Sequence, residues 1–248
     1  MPDSSELELG AGMSFLQWFR EEVTHSGLLI AIRHAAVVLW QFLRESMPDR
    51  RRQRYGDVDY DWDHRVDTTA ATVPWRERLL GLLHCPYQPT DPALFHEMMS
   101  KLEIDFSQFV FIDIGSGKGR VLLMAADYPF RRIIGIELLP ALHRIAQANI
   151  RKYKSDSQRC FAIESICRDA LEFVFPPEPM VIYLFNPLPE AGLVTLLANL
   201  ERSLKPNPRP AFVLYHNPLL QHLFMANKWV SSISGTQQYS IYRFLKPG

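Results

Sequence analysis

Cysteine is scarce in this chain of 248 residues: Cys85, Cys160 and Cys167 make an odd set of three with no CxxC spacing. That argues against a disulfide framework or a cysteine zinc site and suits a reducing, cytoplasmic compartment. Net charge is missing too, since 27 Lys and Arg balance 27 Asp and Glu. A whole-molecule field that draws in nucleic acid is therefore not expected, although the balance is compatible with a local basic patch. No internal repeat or low-complexity tract interrupts the chain. No apolar run reaches the roughly 20 residues that a membrane span needs. The nearest, LLIAIRHAAVVLWQFL (residues 28–43), is broken by Arg33, His34 and Gln41. It reads as a helix packed on the domain, on a partner, or flat on a membrane surface. The opening MPDSSELELG lacks a basic stretch leading into an apolar one, so no secretory signal is expected. No His, Asp and Glu set has a metal-binding spacing.

What is present is a full core. Hydrophobic residues make up 47% of the chain and charged residues 22%, the composition of a folded domain. Residues 1–48 read as an N-terminal helical extension that ends near Met47-Pro48. Residues 49–86 read as a charged linker and lead-in. Within it, residues 49–69 carry an arginine cluster and then interleaved aspartates and aromatics, with no hydrophobic period, and are expected to be loop.

From Pro92 the pattern is regular. Residues 109–114, 133–137, 161–167, 180–185 and 211–215 are apolar strand candidates. Residues 92–102, 121–127, 140–154 and 191–204 are helical between them, and residues 228–233 and 239–245 suit a closing antiparallel pair. This alternation predicts an α/β domain over residues 87–248: a Rossmann-like, doubly wound, seven-stranded sheet, mostly parallel, with a C-terminal antiparallel hairpin. Ligands of such sheets bind beyond the carboxyl ends of the strands. Attention therefore falls on residues 115–119, Glu137, Arg168-Asp169, Asn186-Pro187 and His216-Asn217-Pro218.

The sharpest feature is FIDIGSGKGR (residues 111–120), with glycines at every second position after an apolar run. A phosphate-binding loop needs a glycine where Ile112 stands and a hydroxyl residue where Gly119 stands. A dinucleotide fingerprint needs a third glycine where Arg120 stands, and a bulky side chain there opposes tight helix–strand packing.

Asp113-Ile114-Gly115-Ser116-Gly117-Lys118-Gly119 instead resembles motif I of the class I S-adenosylmethionine-dependent methyltransferases. With the preceding Tyr87-Gln88-Pro89-Thr90 and Val66-Asp67-Thr68, it looks like a set of uncharacterised bacterial members and, more distantly, the Dot1-like lysine methyltransferases. The likeness covers roughly residues 87–245. It implies S-adenosylmethionine as cofactor. Asp113 would meet the loop or the amino-acid end, Glu137 the ribose hydroxyls and Asp169 the adenine. Tyr87 and Thr90 would lie over the methionine end, and Gly115, Ser116, Gly117 and Gly119 would form the close-approach loop. Asn186 and Pro187 would face the methyl group, and His216 is a candidate base by residue type.

In the amino methyltransferases of this superfamily an aromatic completes the Asn-Pro motif and stacks on a base. Here Leu188 and Pro189 follow, which turns the expectation from nucleic acid towards an amine on a protein lysine or a small molecule. A non-catalytic S-adenosylmethionine-binding or interaction module is the alternative. Lys118 has no role in either reading.

Overall fold

Seven strands form one sheet in the computed structural model: Val110–Ile114 (β1), Arg132–Glu137 (β2), Ile163–Cys167 (β3), Met180–Phe185 (β4), Ala211–His216 (β5), Val230–Gly235 (β6) and Tyr239–Phe244 (β7). Their spatial order is β3-β2-β1-β4-β5-β7-β6. The first five are parallel, and β7 joins β5 and β6 antiparallel. The doubly wound sheet and its closing hairpin are thus as the alternation predicts. The structure describes residues 58–69 and 89–245. The chain divides into units of residues 1–56 and 57–248, and every described residue belongs to the second. The expected N-terminal helices, including residues 28–43, lie outside the described residues. Among those described, no helix is long and apolar enough to cross a membrane.

The sheet is covered on both faces, which explains the continuous apolar strands. Side chains alternate: Phe111, Val181 and Tyr183 enter one core cluster, and Ile112, Ile114 and Ile182 the other. The first cluster is closed by Pro92–Ser100 (α2) and Arg120–Ala125 (α3). α2 starts on an Asp91 cap whose carboxylate accepts from the Leu94 N–H, with Pro92 at the first helical position. Leu193, Leu196, Leu197, Leu200 and Leu204 of Glu190–Leu204 (α5) form a helical stripe against the second cluster. Each such burial contributes about 1.5–3 kcal/mol at most. Pro140–Lys152 (α4) packs on β3 and β2 and ends in Arg151 and Lys152, which suit its negative C-terminal end.

The stretch of residues 49–69 differs from the expected loop. Its described part holds a helix, Val58–His64 (α1). The inward contacts of α1 are aromatic and polar rather than aliphatic. Tyr60 stacks on His64 at 4.3 Å between centroids, and His64 stacks on Tyr153 at 5.4 Å. A search for an aliphatic period passes over such a helix. Thr68 and Thr69 beyond it are buried. A second short helix, Gln221–Met225 (α6), follows β5.

Candidate functional site

Strand order reverses between β1 and β4, and the carboxyl ends of these two strands meet there. β1 runs into Gly115, Gly117 and Gly119, with φ of +77°, +53° and +85°. These left-handed angles favour glycine. A Cβ on Gly115 would stand 2.6 Å from the Pro187 Cβ, so glycine lets the β1 and β4 loops touch. The Gly115 and Ser116 N–H groups donate to the Ile136 carbonyl at 2.8 and 3.0 Å, which ties the loop to β2. Ser116 Oγ is buried without a partner among the described residues and lies against Gly135. The side chain thus faces β2.

Glu137 closes β2 and is buried. Its Oε2 accepts from the Gly117 N–H and its Oε1 from the Leu139 N–H, both at 2.8 Å. A carboxylate has about four lone-pair sites and can meet a ligand diol with both oxygens. Asp113 is also buried, and among the described residues no ion pair reaches it. Burial first, and then the Glu137 carboxylate, push its carboxyl well above the ordinary range. A cation set beside this acid, such as the α-ammonium of an amino-acid ligand, would oppose that shift and favour the carboxylate. Asp169 is half-buried just beyond β3 and caps the 3-10 turn Ala170–Glu172 by accepting from the Leu171 N–H at 2.8 Å.

On the other side of the switch, Asn186 has φ +43° and Asn217 φ +50°. The Asn186 Nδ2 donates to the Asn217 carbonyl at 2.7 Å, and its Oδ1 accepts from the Tyr215 hydroxyl at 2.8 Å. The side chain expected to meet the methyl group thus braces the β4 loop against the β5 loop. His216 ends β5. Its ring stacks on Phe185 at 3.8 Å, and its Nδ1 shares a 2.7 Å hydrogen bond with the Tyr183 hydroxyl. That hydroxyl also shares a 2.8 Å bond with Thr90 Oγ1. Burial lowers the His216 pKa to about 4, opposed in part by Asp91. The ring is therefore neutral at pH 7. The Thr90–Tyr183–His216 chain connects the lead-in to α2 with the end of β5. Tyr183 was not anticipated, and its one signal was a hydroxyl inside the otherwise apolar MVIYLF. Tyr87 lies outside the described residues.

Lys118 and Arg120 are both buried. Lys118 Nζ meets Asp67 Oδ1 at 2.6 Å. Arg120 donates through Nε to Thr68 Oγ1 at 2.7 Å and through Nη2 to Thr69 Oγ1 at 2.9 Å and Asp61 Oδ1 at 3.3 Å. Its guanidinium lies 4.8 Å from the Tyr60 ring centre. Tight packing on α4 falls to Gly119, where a Cβ would stand 3.2 Å from that of Ala146. The bulk of Arg120 is thus accommodated by turning towards residues 60–69. Among the described residues, no group of three or more His, Cys, Asp and Glu is placed to hold a metal ion.

Residues 85–166 match the family model described as histone methylation protein DOT1. A protein-lysine N-methyltransferase of Saccharolobus islandicus (strain REY15A) is 33% identical over 70 residues, which is 28% of this chain and 43% of that protein. The chain thus spans less than half the length of this curated relative. Among solved structures, similarity extends to an RNA methyltransferase from Salinibacter ruber in complex with S-adenosyl-L-homocysteine, at TM-score 0.43 and 20% identity, covering 64% of this chain and 94% of that one. It extends also to the glycopeptide N-methyltransferase MtfA complexed with S-adenosylmethionine, at TM-score 0.46 and 10% identity, covering 66% and 97%. The expectation that nucleic acid is not the acceptor gains no support from these matches. The family match and the relative bear out the resemblance over residues 85–166, the stretch that carries the glycine loop and Glu137.

Proposed function

We propose that the chain is an S-adenosylmethionine-dependent methyltransferase whose acceptor is an amine, first of all a protein lysine side chain. The observation that carries the cofactor assignment is the Gly117–Glu137 bond, which holds a carboxylate edge beside the glycine loop at the switch point of the sheet. Glu137 would accept from the ribose hydroxyls, Asp113 would meet the ammonium, and Asp169 would stand at the adenine end. When bound, S-adenosylmethionine supplies a methyl group already activated on a sulfonium, so the protein needs mainly to align the acceptor and exclude water.

The lysine preference rests on the family match, on the relative's name, and on Leu188-Pro189 standing where a base-stacking aromatic would be. A histidine whose pKa is about 4 is a poor acceptor for the proton of an ammonium near 10.4. We therefore assign His216 an orienting role. The acceptor amine would lose its proton to water before or during desolvation, which lowers an amine pKa.

Calorimetry with S-adenosylmethionine and S-adenosylhomocysteine tests the cofactor, and absence of binding overturns the proposal. Labelled-methyl transfer into the protein, nucleic-acid and metabolite fractions of a lysate then tests the acceptor. Label in protein, lost after prior lysine acetylation, supports lysine; label confined to nucleic acid overturns the amine assignment. Binding without transfer to any fraction favours the non-catalytic binding module.

A further inference from the structure

Two buried cations of the glycine loop and its helix turn towards the upstream residues 61–69. Lys118 and Arg120 flank Gly119 and are 1% and 2% exposed. Among the described residues, Lys118 Nζ meets Asp67, and Arg120 donates to Asp61, Thr68 and Thr69, each of them within residues 61–69. Buried charges are tolerated when they are paired and hydrogen-bonded. The upstream segment supplies that pairing for a loop in which three residues have φ in the left-handed region.

The segment is itself closed on Asp61. Oδ2 of Asp61 accepts from the Thr68 and Thr69 N–H groups, each at 2.7 Å, and the Thr68 hydroxyl donates to Oδ1. Asn149 of α4 adds a third tie. Its Oδ1 accepts from the Asp67 N–H at 2.9 Å. Its Nδ2 donates to the Asp67 carbonyl at 2.8 Å and to the Lys118 carbonyl at 3.0 Å. One amide therefore clips the segment and the glycine loop together.

We propose that residues 61–69 form a strap that positions the cofactor loop, with Lys118, Arg120 and Asn149 as positioning residues and Asp61 and Asp67 as their anchors. The inference rests on the cofactor assignment above. Gly117 N–H, the group that meets Glu137, lies one residue before Lys118 and three before Arg120, so release of the cations frees the loop on the ligand side. Coupling of this kind is reciprocal: the factor by which the strap tightens cofactor binding is the factor by which cofactor resists strap opening.

The test uses the full chain and S-adenosylhomocysteine as probe. Asp67→Ala is the first variant, because its carboxylate is 67% exposed, so its truncation opens no buried cavity and acts by leaving the Lys118 ammonium unpaired. Lys118→Met and the pair Asp61→Asn with Arg120→Met follow. Each is expected to weaken binding on the order of tenfold, while Asp67→Glu, which keeps a carboxylate, recovers most of it. In the wild type, S-adenosylhomocysteine is expected to slow hydrogen exchange at the Thr68 and Thr69 amides by a similar factor, and in Lys118→Met it does not. A purely structural role would lower melting temperature without that ligand-dependent protection. If Asp67→Ala and Lys118→Met bind within about twofold of wild type, or if ligand leaves Thr68 and Thr69 exchange unchanged, the strap is overturned while the cofactor assignment stands. No binding to the wild type overturns both.

Discussion

Gly117 donates its backbone N–H to the Glu137 carboxylate at 2.8 Å, across the gap between the β1 and β2 loops. The bond does two jobs. It fixes the glycine loop to the end of β2, and it holds one carboxylate oxygen in place beside that loop. Glu137→Gln keeps the shape but sets an amide in place of a charged acceptor. Hydrogen bonds to charged groups contribute about 1.5–3 kcal/mol, so S-adenosylhomocysteine affinity should fall roughly ten- to hundredfold. Calorimetry reads the affinity, and circular dichroism confirms an intact fold. Unchanged affinity would remove Glu137 from the ribose site.

Gly115 is constrained twice, by its φ of +77° and by the 2.6 Å that would separate a new Cβ from Pro187. Gly115→Ala should therefore cost about 2 kcal/mol or more of stability, since the left-handed region alone costs about 1–2 kcal/mol for a residue with a Cβ. The Pro187 side would be pushed aside, so cofactor affinity should fall as well. Urea denaturation and calorimetry on the same sample check both. A stable variant with normal affinity would show that the two loops adjust independently.

His216 predicts a dependence of stability on pH. Its pKa falls from 6.5 to about 4 on folding because burial opposes the charge. Between those values the unfolded chain binds more protons than the folded one, so stability rises with pH. The full contribution is present above pH 6.5 and is lost progressively as pH falls towards 4. Between pH 7.5 and 5 the loss is about 2 kcal/mol. Asp113 runs the other way, because its raised pKa favours the folded state at low pH. The comparison of wild type with His216→Gln isolates the histidine: the variant should show a shallower fall in urea midpoint over this range. Parallel curves would mean that the ring is solvated rather than buried.

The strands were legible because parallel strands buried on both faces must be apolar throughout, and VFIDI, RIIGIE and MVIYLF show it. The glycine loop was legible from spacing, since each glycine answers to a positive φ. The strap was not, because Asp61, Asp67, Thr68 and Thr69 bind through polar contacts to side chains some fifty residues downstream, and no local period records such pairings. Arg120 shows the same limit from the other end. Its bulk departs from a dinucleotide fingerprint, yet its partners could be named only once the fold placed them. Asp169 is a middle case, because capping a 3-10 turn and facing a ligand from the end of β3 are compatible duties for one carboxyl.

Asn186 and Tyr215 offer the most direct probe of the acceptor side. The Tyr215 hydroxyl donates to Asn186 Oδ1, and Asn186 Nδ2 in turn holds the Asn217 carbonyl. Two residues with positive φ, Asn186 and Asn217, are thus locked by one tyrosine hydroxyl. Tyr215→Phe removes that hydroxyl and leaves the Asn186 carbonyl short of a buried donor, at a cost of about 1–3 kcal/mol. The glycine loop and Glu137 are bonded through β2, not through β5, so cofactor affinity should change little. Alignment at the β4 loop should suffer instead, and misplacement by about an ångström can cost around a hundredfold in rate. The expected signature is a fall in kcat with nearly unchanged S-adenosylmethionine affinity, measured with whichever lysate fraction accepts label. Equal losses in kcat and cofactor affinity would show that the β4–β5 brace serves the cofactor as much as the acceptor.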